Sequence, residues 1–216
     1  MGRQRLLRKR TLLATVTAVV SLLAATVALA DRFTGTEEPD TINGTAQGDT
    51  INSLGGDDTV NGLGGRDTID GGADDDTING DGTCAPGPTT GPYACIPGNS
   101  GRDIIFGGGG QDTINGNGRG DRIAGQGNDD LLRGNSGNDR ISGGSGTDVL
   151  SGGTGKDLLI GGRGRDRVFG GSGRDTLRVR DGRRDRVDCG PGRDSVTADR
   201  RDKVLRNCER VTRRRR

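Results

Sequence analysis

Residues 143–178 read GGSGTDVLS, GGTGKDLLI, GGRGRDRVF and GGSGRDTLR, which are four consecutive copies of one nonapeptide. Aspartate takes the sixth place of each copy, and an aliphatic residue takes the eighth. The same nine-residue interval between aspartates runs from Asp40 to Asp76 and again from Asp103 to Asp175. A unit of nine residues is too short to bury a core alone, so neighbouring units are expected to stack into a solenoid.

Each nonapeptide is expected to form a six-residue turn followed by a three-residue strand. Glycine at the first, second and fourth places permits positive φ and close backbone approach within the turn. Two nonapeptides then make one rung of an all-β, parallel β-roll. The fourteen copies give seven rungs. At about 4.8 Å per rung, the rod would be on the order of 30 Å long.

The core of such a roll follows from the alternation of side chains along a strand, which turns the residue two places after each aspartate inward. These residues would form two facing aliphatic ladders. The predicted core residues are Ile42, Ile51, Val60, Ile69, Ile78, Ile105, Ile114, Ile123, Leu132, Ile141, Leu150, Leu159, Val168 and Leu177.

Aspartates eighteen residues apart fall on the same edge of the rod, one rung apart. Without a cation, their carboxylates would repel one another. The chain has no histidine and the repeats have no thiolate, so the donors are carboxylate and carbonyl oxygens, which favour calcium over zinc or copper. The predicted metal ligands are Asp58, Asp67, Asp103, Asp112, Asp121, Asp130, Asp139, Asp148, Asp157, Asp166 and Asp175.

The spacing also assigns each aspartate to an edge. Asp76 and Asp103 are twenty-seven residues apart, an odd multiple of nine, so the alternation of edges should survive the interruption between them. Seven aspartates on each edge leave six gaps, which sets an upper limit of about twelve Ca²⁺ ions. Edge I would carry Asp40, Asp58, Asp76, Asp112, Asp130, Asp148 and Asp166. Edge II would carry Asp49, Asp67, Asp103, Asp121, Asp139, Asp157 and Asp175.

The nonapeptide GGxGxDxUx, in which U is a large aliphatic residue, resembles the calcium-binding repeat of RTX or hemolysin-type proteins. This resemblance implies a right-handed parallel β-roll with each calcium ion between two neighbouring turns of one edge, bound by repeat aspartates and backbone carbonyls. The motif is most complete before Asp112, Asp148, Asp157, Asp166 and Asp175.

Some turns depart from the motif. The turn before Asp58 begins with Ser53 and Leu54, and the turn before Asp76 has Asp74 at the fourth place, so weaker or empty sites are expected there. In GQGNDDLL either Asp129 or Asp130 could be the sixth-place residue, and the nine-residue frame favours Asp130.

The N-terminus is typical of a secretory signal: a basic segment precedes an apolar run that ends in Ala28-Leu29-Ala30, and cleavage is expected after Ala30. An uncleaved membrane anchor is the alternative, because residues 11–30 are just long enough to span a bilayer. After cleavage no membrane span is expected. The predicted organisation is a signal at 1–30, calcium-binding repeats at 31–79, a Pro/Gly-rich insertion at 80–97, further repeats at 98–178, and degenerate repeats with a basic capping tail at 179–216.

Four cysteines suit an oxidising exterior and permit three pairings. We predict Cys84–Cys95, which would close the insertion into a small loop. We also predict Cys189–Cys208, whose nineteen-residue separation is close to one rung. The rung spacing of about 4.8 Å lies within the usual Cα separation of a disulfide.

Charge is divided unevenly along the chain. Residues 31–160 hold 8 basic and 21 acidic residues, a net charge of −13, whereas residues 161–216 hold 19 and 9, a net charge of +10. The basic end, which includes Arg213–Arg216, is predicted to attach to an anionic wall polymer, a lipid surface or nucleic acid without sequence selectivity. The alternative is that it is simply a solvated cap.

The absence of histidine excludes the HExxH zinc site, the Ser-His-Asp triad and the Cys-His pair. We therefore expect no enzymatic activity, and predict a secreted calcium-binding protein that folds on binding calcium and has a structural or adhesive role at the cell surface. Two alternatives stay open. One is a secreted enzyme acting on polysaccharides or esters through a pair of carboxylates. The other is a glycan-binding face made from the outward Thr and Asn rows, as in Asp40-Thr41-Ile42-Asn43.

Overall fold

In the computed structural model, residues 30–81 and 101–213 are described, and all of their regular structure is β-strand. The strands alternate between two parallel sheets, which confirms the predicted parallel β-roll. The ten-stranded sheet contains β1 (Arg32–Thr34), β3 (Thr50–Asn52), β5 (Thr68–Ala73), β7 (Ile104–Gly109), β9 (Arg122–Gly127), β11 (Arg140–Gly146), β13 (Leu158–Gly164), β15 (Thr176–Val179), β17 (Ser195–Ala198) and β19 (Arg210–Arg213). The nine-stranded sheet contains β2 (Thr41–Asn43), β4 (Thr59–Leu63), β6 (Thr77–Asp81), β8 (Thr113–Asn117), β10 (Leu131–Ser136), β12 (Val149–Gly155), β14 (Arg167–Gly173), β16 (Arg186–Asp188) and β18 (Lys203–Val204).

The roll is longer than the seven rungs expected from the regular repeats. The strand β1 precedes the first predicted rung, and β16 to β19 continue both sheets through the predicted degenerate segment. Ten stacked strands at about 4.8 Å give a rod of roughly 43 Å.

The core lies between the two sheets and consists of the predicted aliphatic ladders. Thirteen of the fourteen predicted residues are buried, and Ile42 is partly buried near the N-terminal end. The C-terminal rungs extend the same ladders with Val187, Val196 and the partly buried Val204. Each rung therefore buries its aliphatic side chains against the rungs on either side.

The interruption does not change the register of the roll. Ile69 pairs with Ile105 and Ile78 with Ile114, a separation of thirty-six residues where the other regular rungs have eighteen. The alternation of edges is therefore preserved, as the spacing predicts. The predicted signal up to residue 29 and the predicted Cys84–Cys95 disulfide lie outside the described residues.

At most of the regular turns the second place has a left-handed backbone. Its φ is 116° at Gly144 and 111° at Gly162. Several turns without glycine at this place keep the conformation, with φ of 77° at Leu54 and 71° at Asn135. The turn geometry is therefore imposed by the stacking of rungs, and glycine makes it less costly.

The outward Asn row of the nine-stranded sheet is hydrogen-bonded along its length. Asn61 Nδ2 donates to Asn43 Oδ1 at 2.9 Å, Asn79 donates to Asn61 at 3.0 Å, and Asn115 donates to Asn79 at 3.1 Å. These side chains therefore stabilise the stacking of four rungs. Because they bond one another, they do not by themselves favour a glycan-binding face.

Candidate metal centre

The repeat aspartates form one hydrogen-bonded ladder along each edge of the roll. The backbone N–H of Asp130 donates to Oδ1 of Asp148 at 3.0 Å, and that of Asp139 donates to Oδ1 of Asp157 at 2.9 Å. The same bond links neighbouring rungs along both edges, from Asp40 to Asp202 on edge I and from Asp31 to Asp194 on edge II. All eleven predicted ligands are in these ladders and are at most 3% exposed.

The second carboxylate oxygen has a different environment. Within the described part of the chain, Oδ2 is buried and accepts no hydrogen bond at Asp76, Asp112, Asp130, Asp139, Asp148, Asp157, Asp166, Asp175, Asp185 and Asp194. A buried acceptor left in this state costs about 1–3 kcal/mol, and more when it is charged. Recurrence at turn after turn makes the Oδ2 oxygens of the regular repeats, from Asp76 to Asp175, candidate ligands of a cation.

The surroundings of Oδ2 are backbone rather than side chain. A Cβ added to Gly71, at the first place of its turn, would lie 2.5 Å from Asp76 Oδ2 and 2.5 Å from the carbonyl oxygen of Gly107 in the next turn. A carboxylate oxygen and a carbonyl oxygen from neighbouring turns thus border one small space, and only glycine leaves that space open. The same pair of oxygens borders Gly107, Gly125, Gly134, Gly143 and Gly152.

The charge state of the ladder follows from this burial. Burial, together with the smaller effect of the charges of Asp112 and Asp58, raises the pKa of Asp76 to about 7 against the lowering effect of the hydrogen bond from Asp58. Burial likewise raises the pKa of Asp130, Asp157 and Asp185 to about 7, and that of Asp112, Asp139 and Asp166 to about 6. A carboxylate in this position needs a proton or a cation to be stable.

Calcium fits this donor set. The oxygens are hard ligands, and calcium accepts carboxylates together with backbone carbonyls in flexible geometry. Nowhere in residues 30–81 and 101–213 do three or more acidic or cysteine side chains form one metal-binding group. This carbonyl-rich arrangement is unlike a zinc site, which needs nitrogen or sulfur donors.

The structure resolves the choice of frame at Asp129 and Asp130. Asp130 is 3% exposed and takes the ladder position. Asp129 is exposed, and its Oδ1 accepts the N–H of Thr147 at 2.6 Å. At Asp58 the first-place residue is Ser53, whose hydroxyl donates to the carbonyl of Gly71 at 2.7 Å.

Three ladder aspartates outside the sequence-based ligand set also have a buried Oδ2 that accepts no hydrogen bond from the described residues. Asp76 is one of them: its turn has Asp74 at the fourth place, which adopts the left-handed φ of 72° that glycine would otherwise supply. Asp185 and Asp194 lie nineteen residues after Asp166 and Asp175, so one extra residue removes them from the nine-residue interval. The signal that could have identified them is the Asp-x-Val spacing, which both retain.

The two N-terminal turns satisfy their carboxylates without a cation. Thr45 occupies the second place, and its N–H and hydroxyl lie 2.6 and 3.0 Å from Asp49 Oδ2. Thr36 does the same for Asp40 Oδ2, at 2.7 and 2.9 Å. Neither threonine has positive φ, so these turns differ in backbone conformation from the glycine turns.

The C-terminal turns are closed in another way. Val179, Cys189 and Ala198 are buried at the first place, where the regular turns have glycine. Edge I ends at Asp202, whose Oδ2 accepts the N–H of Asp199 at 2.5 Å. Edge II ends at Glu209, which accepts the N–H of Asp194 at 2.8 Å.

The predicted disulfide between Cys189 and Cys208 is present, with a Cα separation of 5.3 Å. It joins the residue after β16 to a residue two places before β19. The last two rungs of edge II are therefore linked covalently, where the ladder is closed by a glutamate instead of an aspartate.

Comparison with known families agrees with this geometry. The family model for the RTX calcium-binding nonapeptide repeat matches residues 28–60, 53–82, 97–118, 115–150 and 142–177, which is more than half of the chain. The chain therefore belongs to the RTX calcium-binding nonapeptide repeat family. No curated protein matches it significantly. In the described segments, no helix has the length and apolar character needed to cross a membrane.

Proposed function

We propose that this chain is a secreted structural protein whose aspartate ladders bind calcium and fold as they do so. The observation that carries this proposal is the buried Oδ2 oxygen, repeated along both edges beside a carbonyl oxygen of the next turn. A bound calcium ion would supply the positive charge that these carboxylates lack.

The ligands are taken to be the aspartates whose turns have glycine at the first place and no threonine at the second. On edge I these are Asp76, Asp112, Asp130, Asp148 and Asp166, and on edge II they are Asp67, Asp103, Asp121, Asp139, Asp157 and Asp175. With one ion between neighbouring turns of an edge, four gaps on edge I and five on edge II give nine ions. Ser53, Thr45 and the apolar residues of the C-terminal turns exclude the remaining gaps.

Folding is proposed to depend on calcium because the buried ladder aspartates would otherwise be ionised side by side without a positive counter-charge. At pH 7.5 the unfolded chain would have all of its aspartates ionised, whereas the roll buries them in contact with one another. Affinities typical of extracellular calcium modules, about 10⁻⁴–10⁻³ M, would be met by millimolar calcium, and coupled sites would make the transition steep.

The test is a far-UV circular dichroism titration of residues 31–216 with calcium, using magnesium as the matched control, under oxidising conditions. We expect a cooperative transition from coil to β-structure that calcium alone produces. A spectrum that is already β-rich in calcium-free buffer, or coil at ten millimolar calcium, would contradict the proposal. Native mass spectrometry of the folded sample would count the ions.

Secretion and a role at the cell surface are part of the proposal, and the cysteine pair, the N-terminal sequence and the family support them. The basic C-terminal region is proposed to attach the rod to an anionic wall polymer or surface. Retention on such a polymer should fall steeply between 50 and 500 mM salt, because it depends on displaced counterions. Retention that does not change with salt would exclude electrostatic attachment.

The proposed role is not catalytic. The chain has no histidine, and the ladder aspartates are committed to turns by their hydrogen bonds and burial. Assays with a panel of polysaccharides and esters test this directly: turnover that survives Asp148→Asn but is lost on changing an exposed carboxylate would show an enzyme.

A further inference from the structure

We propose that an arginine-lined groove on edge I binds the sulfate or phosphate groups of a linear anionic polymer, and does so only when the adjacent turns are folded by calcium. The inference rests on the proposed function and places the anion site on the calcium turns rather than on the Arg213–Arg216 tail. The groove has a volume of about 350 Å³ and is bordered by Arg163, Arg165 and Arg183.

The groove is a product of stacking. Arg163 and Arg165 belong to the turn before Asp166, and Arg183 belongs to the turn before Asp185. Arg163 and Arg183 are twenty residues apart in sequence and approach one another only because successive turns of edge I lie one rung apart. An unfolded chain would not present the three guanidinium groups together.

The charge along edge I changes from negative to positive at this point of the rod. The residues directly before the ladder aspartates are Asp57, Asp75, Gln111, Asp129, Thr147 and Arg165 in rung order. The acidic members bind backbone: Asp57 accepts the N–H of Asp75 at 3.1 Å, and Asp75 accepts that of Gln111 at 2.7 Å. From Arg165 onward the row offers exposed guanidinium groups instead.

The acidic side chains near the groove accept hydrogen bonds from backbone N–H groups. Asp129 borders it, but its Oδ1 accepts the N–H of Thr147 at 2.6 Å. Asp181 lies in the next turn, where its carboxylate accepts the N–H of Gly164 at 2.9 Å and that of Arg183 at 2.7 Å. In the described part of the chain, none of the three arginines forms an ion pair with an acidic residue.

Three neighbouring guanidinium groups repel one another and present planar, bidentate donors that match sulfate and phosphate oxygens. Arg163 and Arg183 lie on turns one rung apart, about 4.8 Å along the rod, which suits a linear polymer with one anionic group per few ångströms. Ions bound at the ladder beneath would cancel the charge of Asp148 and Asp166, which otherwise opposes an anion. Calcium and anion binding are therefore expected to support each other.

The chain offers its own matched variants. The double substitution R163S/R165T converts GGRGRD at 161–166 into GGSGTD, which is the native turn at 143–148. The control K156T/R174T removes two positive charges from edge II and converts GGSGRD at 170–175 into the same GGSGTD. Arg183→Ser, made separately, removes the third guanidinium without touching a glycine turn.

Isothermal titration calorimetry of the full chain in 150 mM salt is the test, with a heparin-derived sulfated hexasaccharide and a glycerol-phosphate hexamer as separate probes. In calcium we expect R163S/R165T to weaken binding at least tenfold, Arg183→Ser several-fold, and K156T/R174T no more than twofold. The probe that shows this pattern identifies sulfate ester or phosphodiester as the preferred group. Removing calcium with a chelating resin should abolish the difference among the variants.

Equal weakening by the two double variants would reduce the effect to net charge and overturn the inference. So would binding that persists unchanged without calcium, or the failure of both probes to bind. Circular dichroism and ion counts on the same samples distinguish a failure of this inference from a failure of the proposed function. A wild-type chain that folds in calcium but binds neither probe overturns this inference alone, whereas a chain that takes up no calcium overturns the proposed function as well.

Discussion

Acidification is expected to fold the calcium-free chain, the reverse of ordinary acid unfolding. Burial raises the pKa of seven ladder aspartates in the folded state to about 6 or 7, from an ordinary value of 3.8. Between these values the folded chain holds protons that the unfolded chain has released. Folding is therefore favoured as the pH falls from 7 toward 4, and the gain is complete below the unfolded value.

The magnitude follows from the number of groups. Each carboxyl contributes about 1 kcal/mol per pH unit between its unfolded and folded pKa. Neighbours on one edge do not titrate independently, because the charge of Asp112 raises the pKa of Asp76 and that of Asp148 raises the pKa of Asp130. If only a third of the groups titrate fully, the slope is still roughly 2–3 kcal/mol per pH unit. Between pH 7 and pH 5 this approaches the entire stability of a small domain.

Bound calcium should reverse this dependence of folding stability on pH. The ladder carboxylates must be ionised to bind it, so protons compete with the ion and the calcium-saturated roll loses stability on acidification. The two forms would therefore have opposite pH dependence over the same range, which a general effect of pH on the chain could not produce.

The measurement is far-UV circular dichroism between pH 7.5 and pH 4.5, in parallel samples with ten millimolar calcium and with calcium removed. Proton uptake during a pH jump of the calcium-free sample should accompany its gain of β-structure. A calcium-free chain that stays coil at pH 4.5, or a calcium-loaded chain that becomes more stable in acid, would refute the linkage between ladder burial and folding.

Other predictions concern single positions. Thr45→Gly should raise the ion count in native mass spectrometry from nine to ten, since Asp49 Oδ2 loses its hydroxyl donor; an unchanged count would argue against the threonine as a substitute for the cation. Gly71→Ala should destabilise the calcium-bound roll by about 2 kcal/mol in urea unfolding, because its Cβ would meet Asp76 Oδ2 and the next carbonyl, whereas Gly109→Ala, with nothing within 4 Å, should change stability by less than about 0.5 kcal/mol. Cys208→Ser should speed amide hydrogen exchange in β19 and leave the calcium midpoint unchanged; a shifted midpoint would mean that the disulfide supports the sites themselves.

Much of this fold could be predicted because the nine-residue repeat fixes the place of each residue in a rung. A fixed period of nine determines which residues face inward and which aspartates share an edge, and both assignments are confirmed, even across the insertion between Ile69 and Ile105. The Cys189–Cys208 pair could be predicted for the same reason, since residues one rung apart have nearly the Cα separation of a disulfide.

The remainder depended on local contacts that a period does not encode. The turn before Asp185 contains one extra residue, which the ladder accommodates but a count by nines cannot. In the sequence Thr36 and Thr45 stand where the motif has its second glycine, and only the structure shows that their hydroxyls bind the carboxylates. The ladder bond itself was not expected, because aspartates in register suggest repulsion until the backbone N–H of the neighbouring rung is placed between them.

That bond has a direction. In every ladder bond along the regular repeats the donor lies toward the N-terminus and the acceptor one rung later, as from Asp112 to Asp130 and from Asp121 to Asp139. If the chain leaves a narrow pore N-terminus first, the last rung outside the pore would lack its ladder bond until the carboxylate of the next rung has also emerged. On each edge, assembly would proceed one rung of eighteen residues at a time, and each step would be fixed when the next aspartate of that edge emerges.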